Sequence, residues 1–259
     1  EVSGPMVTSG DAYELAISPT GDWAVYVADQ DTDLEYRLYL LDVSGATPGA
    51  PTEFTGTIDP AGDVGLSAGD IGFSPDGRWV HFIADVNAGG DELWIRDVLN
   101  QADPAVRLSQ DLSADSGRDV LEAVWSPDGR RIAYRGDVET GGDNELFVGD
   151  AALPGSPIKV SPVLVPSFAD VNSIDDEDFA WDPDGEFVVL NADAVNSDDD
   201  ELYLTFLDDP GNPIRIFANG TQGDVLSVKV ADDGEALFTV ARLNGSFDNE
   251  FFLVEIGAS

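Results

Sequence analysis

The sequence predicts an all-β fold made of five copies of one unit. A four-residue turn that ends in glycine recurs five times, with successive glycines 49 to 56 residues apart. A short run rich in β-branched and aromatic residues precedes each turn and another follows it, which is the pattern of a β-hairpin. With 27 Gly and 15 Pro in 259 residues, the composition also supplies the turns that many short strands need.

Each turn anchors one copy of the unit. Proline at the second position, present in four of the five, presets φ, and the final glycine ends the turn without steric cost, as in a type I turn. The turns are Ser18–Gly21, Ser74–Gly77, Ser126–Gly129, Asp182–Gly185 and Ala231–Gly234.

Each unit is predicted to contain four strands. The strand before the turn is Leu15–Ile17, Ile71–Phe73, Ala123–Trp125, Phe179–Trp181 or Val228–Val230. The strand after it is Trp23–Val27, Trp79–Ile83, Ile132–Tyr134, Phe187–Leu190 or Ala236–Val240. The third begins at Leu38, Leu93, Leu146, Leu202 or Phe251, and the fourth lies at Thr52–Phe54, Ala105–Leu108, Ile158–Val160 and Ile214–Phe217. Four antiparallel strands in a unit of this length are typical of a propeller blade.

The predicted fold is therefore a five-bladed β-propeller of four-stranded antiparallel blades. The fifth unit stops at Ile256 after its third strand, while Pro5–Thr8 reads as a spare strand. We expect Pro5–Thr8 to pair beside Glu250–Ile256 and close the ring. The whole chain, 1–259, is then one domain, with blades at 9–56, 57–109, 110–162, 163–218 and 219–256 and a closing strand at 4–8.

The charge of the chain narrows its partners. Fifty-one acidic residues against 12 basic ones give a net charge of −39, which repels nucleic acid and anionic membranes. Such a surface attracts divalent cations or basic proteins, or it reflects adaptation to a salty habitat. The chain has no cysteine, and no apolar run approaches the roughly 18 residues of a membrane span. The acidic start of the sequence does not read as a signal peptide, and we expect a monomer.

The repeat resembles a known family. The pattern Phe73–Asp85 followed by Glu92–Ile95, and again Trp125–Asp137 followed by Glu145–Val148, is similar to the TolB-type, WD40-like (PD40) propeller repeats. The resemblance implies the propeller fold and a repeat type that serves many binding proteins. It also implies an extracytoplasmic, periplasmic or secreted location. The TolB propeller has six blades, whereas five are countable here.

Aligning the units on the turn glycine shows two levels of acidic residues. Ten residues before the glycine stand Asp11, Ser67, Asp119, Asp175 and Asp224. Seven residues before it stand Glu14, Asp70, Glu122, Asp178 and Ser227. In a propeller this strand lines the central channel, so the acids predict a site for a metal cation or a cationic side chain. The alternative is a structural role, in which they accept hydrogen bonds from the backbone of the neighbouring blade.

The loops between the second and third strands are also acidic. Three begin with Asp and end with Glu: Asp85 to Glu92, Asp137 to Glu145, and Asp193 to Glu201. If the two ends approach, they need a cation, a neighbouring basic residue or water. We hypothesise Ca²⁺, which prefers clustered hard oxygens, with help from Asn87, Asp91, Asp143 and Asp198–Asp200. The predicted metal ligands are thus Asp11, Asp119, Asp175 and Asp224 together with these three loop pairs.

Three other motifs fail their structural requirements. Asp29–Asp33 resembles the start of an EF-hand, but its sixth position is Leu34 rather than Gly. Gly65–Gly69 matches a nucleophile elbow, yet a strand is predicted where that motif needs a helix. His81, the single histidine, aligns with apolar strand positions in the other units, so we predict that it is buried and structural.

The sequence therefore favours a non-enzymatic propeller that binds a protein, a peptide or a glycan at one end, a cationic protein or peptide among the options, with Ca²⁺ as a potential cofactor. One alternative is a metal-dependent hydrolase that uses the acidic channel. Another is a purely structural, salt-adapted repeat domain.

Overall fold

A computed structural model describes residues 3–56, 63–65, 69–85, 89–114, 117–139, 143–162, 179–192, 201–218, 224–232, 234, 236–242 and 249–256. Within these ranges the chain forms nineteen β-strands in five antiparallel sheets, and none of the described elements is a helix of the length and apolar character that a bilayer span requires. The all-β prediction is confirmed.

The first two sheets each contain four consecutive strands in chain order. The first has the order β1-β2-β3-β4, with β1 at Ala12–Ile17, β2 at Trp23–Ala28, β3 at Arg37–Asp42 and β4 at Thr52–Glu53. The second has the order β5-β6-β7-β8, with β5 at Ile71–Phe73, β6 at Trp79–Asp85, β7 at Asp91–Asp97 and β8 at Val106–Arg107.

The remaining sheets repeat this arrangement. The third has β9 at Val120–Trp125, β10 at Arg131–Gly136, β11 at Glu145–Asp150 and β12 at Ile158–Lys159. The fourth has β13 at Phe179–Trp181, β14 at Phe187–Ala192, β15 at Glu201–Phe206 and β16 at Ile214–Ala218. The fifth has three strands, β17 at Asp224–Val230, β18 at Ala236–Arg242 and β19 at Asn249–Glu255. Neighbours in each sheet are consecutive in the chain.

The predicted turns join the first and second strands of every sheet. Their glycines all have φ between 70° and 75°, a left-handed conformation that favours glycine. Each glycine N–H donates to the carbonyl of the first turn residue at 2.8 to 3.1 Å. In four turns the Ser or Asp side chain at that first position also accepts the N–H of the residue five positions later, for example Trp79 N–H to Ser74 Oγ at 2.9 Å. The recurring Ser or Asp therefore caps the turn.

The chain divides into two compact parts, which we call unit 1 and unit 2 and describe separately; they are distinct from the five repeats. Unit 1 contains residues 1–125 and 149–157, and unit 2 contains residues 126–148 and 158–259. In unit 1 the core packs the first sheet on the second, through Val25, Leu38, Leu40, Val80 and Phe82 among others. In unit 2 one cluster includes Phe187, Val189, Leu202 and Leu204 with Val225 and Val228 of the fifth sheet. Both cores use the alternate strand residues that face a neighbouring sheet.

The predicted closing strand is not among the described strand pairs. Residues 4–8 form no strand; the Val7 N–H donates to the Gln30 carbonyl at 3.0 Å, and Met6 packs against the buried cluster of Tyr26, Ala28 and Tyr39. The fifth sheet has three strands within the described residues. The five-blade count, the closed ring and the single domain stay predictions.

Candidate functional site

Four aspartates of unit 1 come together around the start of β7. Asp91 is the first residue of β7 and lies opposite Asp85, the last residue of β6. Its backbone N–H donates to Asp119 Oδ1 at 3.0 Å, which brings in the segment before β9. Asp70, immediately before β5, is only 7% exposed. We call Asp70, Asp85, Asp91 and Asp119 the Asp91 cluster.

Burial and the neighbouring carboxylates change the ionisation of Asp91. Burial, followed by the charges of Asp119, Asp85 and Asp70, raises the pKa of Asp91 to about 6 from 3.8. Burial, and then the surrounding carboxylates, make Asp91 difficult to ionise, and a nearby positive charge would stabilise its ionised form. The cluster is therefore a place where a bound cation or cationic side chain gains electrostatic energy.

Backbone contacts hold the cluster in position. Asp85 Oδ1 accepts the N–H of Asp63, and Asp63 Oδ1 in turn accepts the N–H of Tyr36 at 2.9 Å. A side chain added at Gly65 would collide with the carboxylate of Asp70, so this glycine of the Gly65–Gly69 motif makes room for an acid. The hydrogen bonds to Asp85 and Asp63, with the bond from Asp91 to Asp119, agree with the alternative in which the acids have a structural role and accept backbone hydrogen bonds. A neutral N–H donor orients a carboxylate but does not cancel its charge, so the same groups also suit a cationic ligand.

Glu14 extends the acidic surface toward β1. Its Oε1 accepts the N–H of Gly69 at 2.8 Å, and its other carboxylate oxygen is buried without a hydrogen-bond partner among the described residues. Burial raises the pKa of Glu14, the bond from Gly69 opposes that shift, and the charge of Asp70 adds to it. Two of the predicted inner-strand acids, Glu14 and Asp70, thus influence each other directly.

The three loop-ending glutamates have a different environment, because each contacts a basic residue of the fourth strand. Glu92 pairs with Arg107 at 3.2 Å, and Glu201 pairs with Arg215 at 2.7 Å. Glu145 pairs with Lys159, which also reaches Glu139 at 3.4 Å. The sequence allows a cation, a basic residue or water as the partner of these acids, and the structure shows a basic residue beside each glutamate.

The sequence carries a signal for these pairs in the fourth strand. Each cation directly follows a β-branched residue, as Val106-Arg107, Ile158-Lys159 and Ile214-Arg215. In the first sheet the equivalent pair is Thr52-Glu53, and Arg37 occupies the position of the glutamates. The two positions thus carry opposite charges in the first sheet as well, with the signs exchanged.

The other predicted metal ligands are dispersed or lie outside the described residues. Asp11 is exposed, and Asp224 begins β17. Asp137 lies just after β10, whereas Asp175 and Asp193 are outside the described residues, as are Asn87 and Asp198–Asp200. Across the described ranges, no three Asp, Glu or His side chains are grouped as a metal site requires. Calcium binding stays a prediction.

The loop that resembles an EF-hand binds its own backbone. Asp29 is 1% exposed; one carboxylate oxygen accepts the N–H of Asp11 at 2.6 Å and the other accepts the N–H of Leu34 at 3.1 Å. These bonds lower the pKa of Asp29. Leu34 has φ of +66°, the conformation for which an EF-hand uses glycine, and it is 68% exposed. Asp29 thus closes a tight loop.

His81 is buried, as its alignment predicts. It is 5% exposed, and Nδ1 accepts the indole N–H of Trp125 at 2.8 Å. Burial lowers the pKa of His81 to about 4, so the ring is neutral at pH 7. An acceptor for a buried tryptophan is a structural role.

Comparison with known proteins shows the fold class of this chain. No protein-family model matches the chain, and neither does any curated relative. Among solved structures, TolB from Acinetobacter baumannii is 18% identical with a TM-score of 0.48, and the match covers 97% of this chain but 53% of that one. Oligogalacturonate lyase from Vibrio parahaemolyticus is 13% identical with a TM-score of 0.54. The match covers 97% of this chain and 68% of that one.

A third similar structure is itself named as a propeller. The β-propeller domain of the Trilobed protease from Pyrococcus furiosus, described as having an open velcro topology, is 13% identical with a TM-score of 0.53. The match covers 94% of this chain and 69% of that domain. At such identities the likeness shows a fold of the β-propeller class and carries no function across.

Proposed function

We propose that this protein is a non-enzymatic, extracytoplasmic binding propeller that holds a cationic segment of a partner protein or peptide at the Asp91 cluster. The observation that carries the proposal is that Asp85 lies opposite Asp91 while Asp119 accepts its backbone N–H, in a place where burial and the charges of Asp119, Asp85 and Asp70 raise the pKa of Asp91. A Lys or Arg side chain placed there relieves the repulsion among them. The net charge of −39 would also speed the approach of a positively charged partner.

The predicted acids have two kinds of surroundings. Glu92, Glu145 and Glu201 have basic partners within the protein. In the Asp91 cluster, Asp85 accepts a hydrogen bond from the backbone N–H of Asp63, and Asp119 accepts one from the backbone N–H of Asp91. Similarity to propellers supports a scaffold or binding role, since such folds present loops and strand ends from a rigid frame.

The test is a titration with a synthetic peptide of alternating Lys and Gly, followed by fluorescence anisotropy at physiological ionic strength. Replacing Asp85, Asp91 and Asp119 together with Asn should weaken binding at least about tenfold, because three local charges are lost. Affinity for the intact protein should rise with pH through about 6, as Asp91 ionises.

The matched control separates local binding from the general attraction of an acidic protein. Replacing Asp33, Asp103 and Asp232 with Asn, all of them exposed, changes the net charge by the same amount. The control variant should bind nearly as tightly as the original protein. Equal weakening in both triple variants would show that only net charge matters and would refute the proposed site.

A further inference from the structure

A cavity in unit 2 lies between the third and fourth sheets, next to the glycine turns of both. Its volume is about 310 Å³, near the lower end of the range for small-molecule sites. The described residues that line it all belong to unit 2: Arg131, Glu186, Phe206, Leu207 and Asp208. Arg131 begins β10, Glu186 directly precedes β14, and Phe206 ends β15. A cavity of this size has room for a ligand about as large as one amino acid.

Two of these residues depart from the pattern of the repeat. The first residue of the second strand is aromatic in three sheets and arginine in the third sheet: Trp23, Trp79 and Phe187 against Arg131. The last residue of the third strand is aspartate in three sheets and phenylalanine in the fourth sheet: Asp42, Asp97 and Asp150 against Phe206. The repeat therefore explains neither Arg131 nor Phe206, and both line the same cavity.

Phe206 replaces an acid that has a structural role in other sheets. The aspartates at this position accept the N–H of the residue two positions later, at 2.8 to 2.9 Å. Phe206 lies instead against Phe187, with the ring centroids 5.6 Å apart. Next to it, Leu207 packs on the buried cluster that joins the third and fourth sheets. The fourth sheet thus supplies a fixed apolar wall to the cavity.

Arg131 is positioned by two hydrogen bonds. Its backbone N–H donates to Ser126 Oγ at 3.0 Å, and one terminal nitrogen of its guanidinium donates to the Gly185 carbonyl at 2.9 Å. The acid of the same turn, Asp128, accepts the Ser126 hydroxyl and the Arg130 backbone N–H. Among the described residues, the acids that form ion pairs do so with other cations. Arg131 can therefore present the planar set of N–H donors that suits a carboxylate.

Two acids lie beside the apolar wall. Glu186 and Asp208 are both exposed, and the Leu207 N–H donates to the Glu186 carbonyl at 2.9 Å. This backbone bond keeps the two acidic residues at neighbouring strand ends. They and the net charge of −39 disfavour a ligand that is only anionic, whereas a ligand that is only cationic gives Arg131 no carboxylate.

We infer that this cavity binds a basic amino acid, either as a free molecule or as the C-terminal residue of a peptide. Its carboxylate pairs with Arg131, its aliphatic stem lies on Phe206 and Leu207, and its cationic end is near Glu186 and Asp208. The inference concerns unit 2 and does not depend on the Asp91 cluster.

The probes are L-lysine and cadaverine, which is lysine without its carboxylate. NMR of the labelled protein follows the Phe206 and Leu207 amides during titration with each. Lysine should shift both amides and bind at least about tenfold more tightly than cadaverine, because Arg131 pairs with the carboxylate. General attraction to an acidic protein would instead favour cadaverine, which carries the larger positive charge.

Two peptides distinguish the sources of the ligand. They are acetyl-Gly-Gly-Lys with a free carboxylate and the same peptide as its amide. A free amino acid is the ligand if lysine alone shifts the two amides. A peptide end is also accepted if the peptide with the free carboxylate shifts them and its amide does not. If neither lysine nor the peptide with the free carboxylate shifts them, the inference is overturned.

A matched pair of variants makes the test specific. Arg131→Gln should abolish the preference for lysine over cadaverine. Arg130→Gln, at the exposed residue next to it, removes the same charge and should preserve that preference. Equal binding of lysine and cadaverine to the original protein, which requires no variant to fold, would overturn the inference, and so would an equal loss of preference in both variants. The Asp85, Asp91 and Asp119 triple variant should bind lysine as the original protein does, because the Asp91 cluster lies in unit 1.

Discussion

Replacing Asp91 with Asn should make the protein more stable at neutral pH. Asp91 has a folded-state pKa of about 6, raised above its ordinary 3.8 by burial and by three neighbouring aspartates. A raised folded-state pKa in an acid means that ionisation opposes folding. The penalty is absent at low pH, grows as pH rises from 3.8 to about 6, and is complete above that. Asn has a similar shape and carries no charge, and the Asp91 backbone N–H still donates to Asp119.

The size of the effect follows from the shift. A displacement of about two pKa units corresponds to roughly 3 kcal/mol at most, at about 1.4 kcal/mol per unit. Because Asp91 is only partly buried, water and salt screen part of this repulsion, and we expect a gain of about 1 to 1.5 kcal/mol. A gain of that size is a measurable fraction of the stability of a typical domain.

Urea denaturation, which leaves ionic strength unchanged, measures the effect at about pH 3.5 and about pH 7.5, below and above the range in which the penalty develops. The difference between Asp91→Asn and the original protein should be small at the lower pH and near its full value at the higher one. Asp103→Asn, at an exposed aspartate, is the control. The reasoning is refuted if Asp91→Asn stabilises no more than the control, or if its effect is the same at both pH values.

Three further predictions concern residues outside the Asp91 cluster. Arg107→Met should lower the free energy of unfolding, measured by urea denaturation, by about 2 kcal/mol, because it leaves the 0% exposed carboxylate of Glu92 without its cation. A loss no larger than that caused by replacing an exposed arginine with Met would contradict this. His81→Phe should cost about 1 to 3 kcal/mol, since the buried indole N–H that donates to it loses its acceptor; an unchanged melting temperature would be the contrary result. Leu34→Gly should add about 0.5 to 1 kcal/mol by relieving a left-handed backbone at an exposed residue, whereas Leu99→Gly, equally exposed at 71%, should give no gain.

The strands and turns are predictable because the same sequence pattern occurs five times. The runs around each turn glycine are rich in β-branched and aromatic residues, and the glycines need a positive φ that few other residues tolerate. The burial of His81 is equally accessible, since it shares a strand position with Val25 and Ala133. Its bond to Trp125, 44 residues away, is not, because alignment within a repeat says nothing about which residues of neighbouring sheets meet.

The same limit explains the outcome for the acidic residues. The sequence predicts Asp85 from the loops, and Asp119 and Asp70 from the inner strands, as separate features. The structure brings all three around Asp91, which has only an auxiliary role in the sequence prediction. Lateral contact between a loop of one sheet and the inner strand of the next is a tertiary property that the spacing of a single repeat does not encode.

The glutamates at the loop ends show the opposite case. The sequence predicts metal binding for Glu92, Glu145 and Glu201 because each follows an acidic loop. Their basic partners lie 14 or 15 residues later in short fourth strands, which carry a weak periodic signal of their own. Matching charge across the two strand positions, rather than counting acids within one loop, finds the pairs.

The most direct measurement of the central claim is the pKa of Asp91, followed by carbon-detected NMR of its carboxyl group with and without the Lys-Gly peptide. The account predicts a value of about 6 in the free protein. The bound peptide should lower that value, because a nearby positive charge favours the ionised carboxylate. A value near the ordinary 3.8 in the free protein, or one that the peptide leaves unchanged, would contradict the claim that this cluster binds a cationic partner.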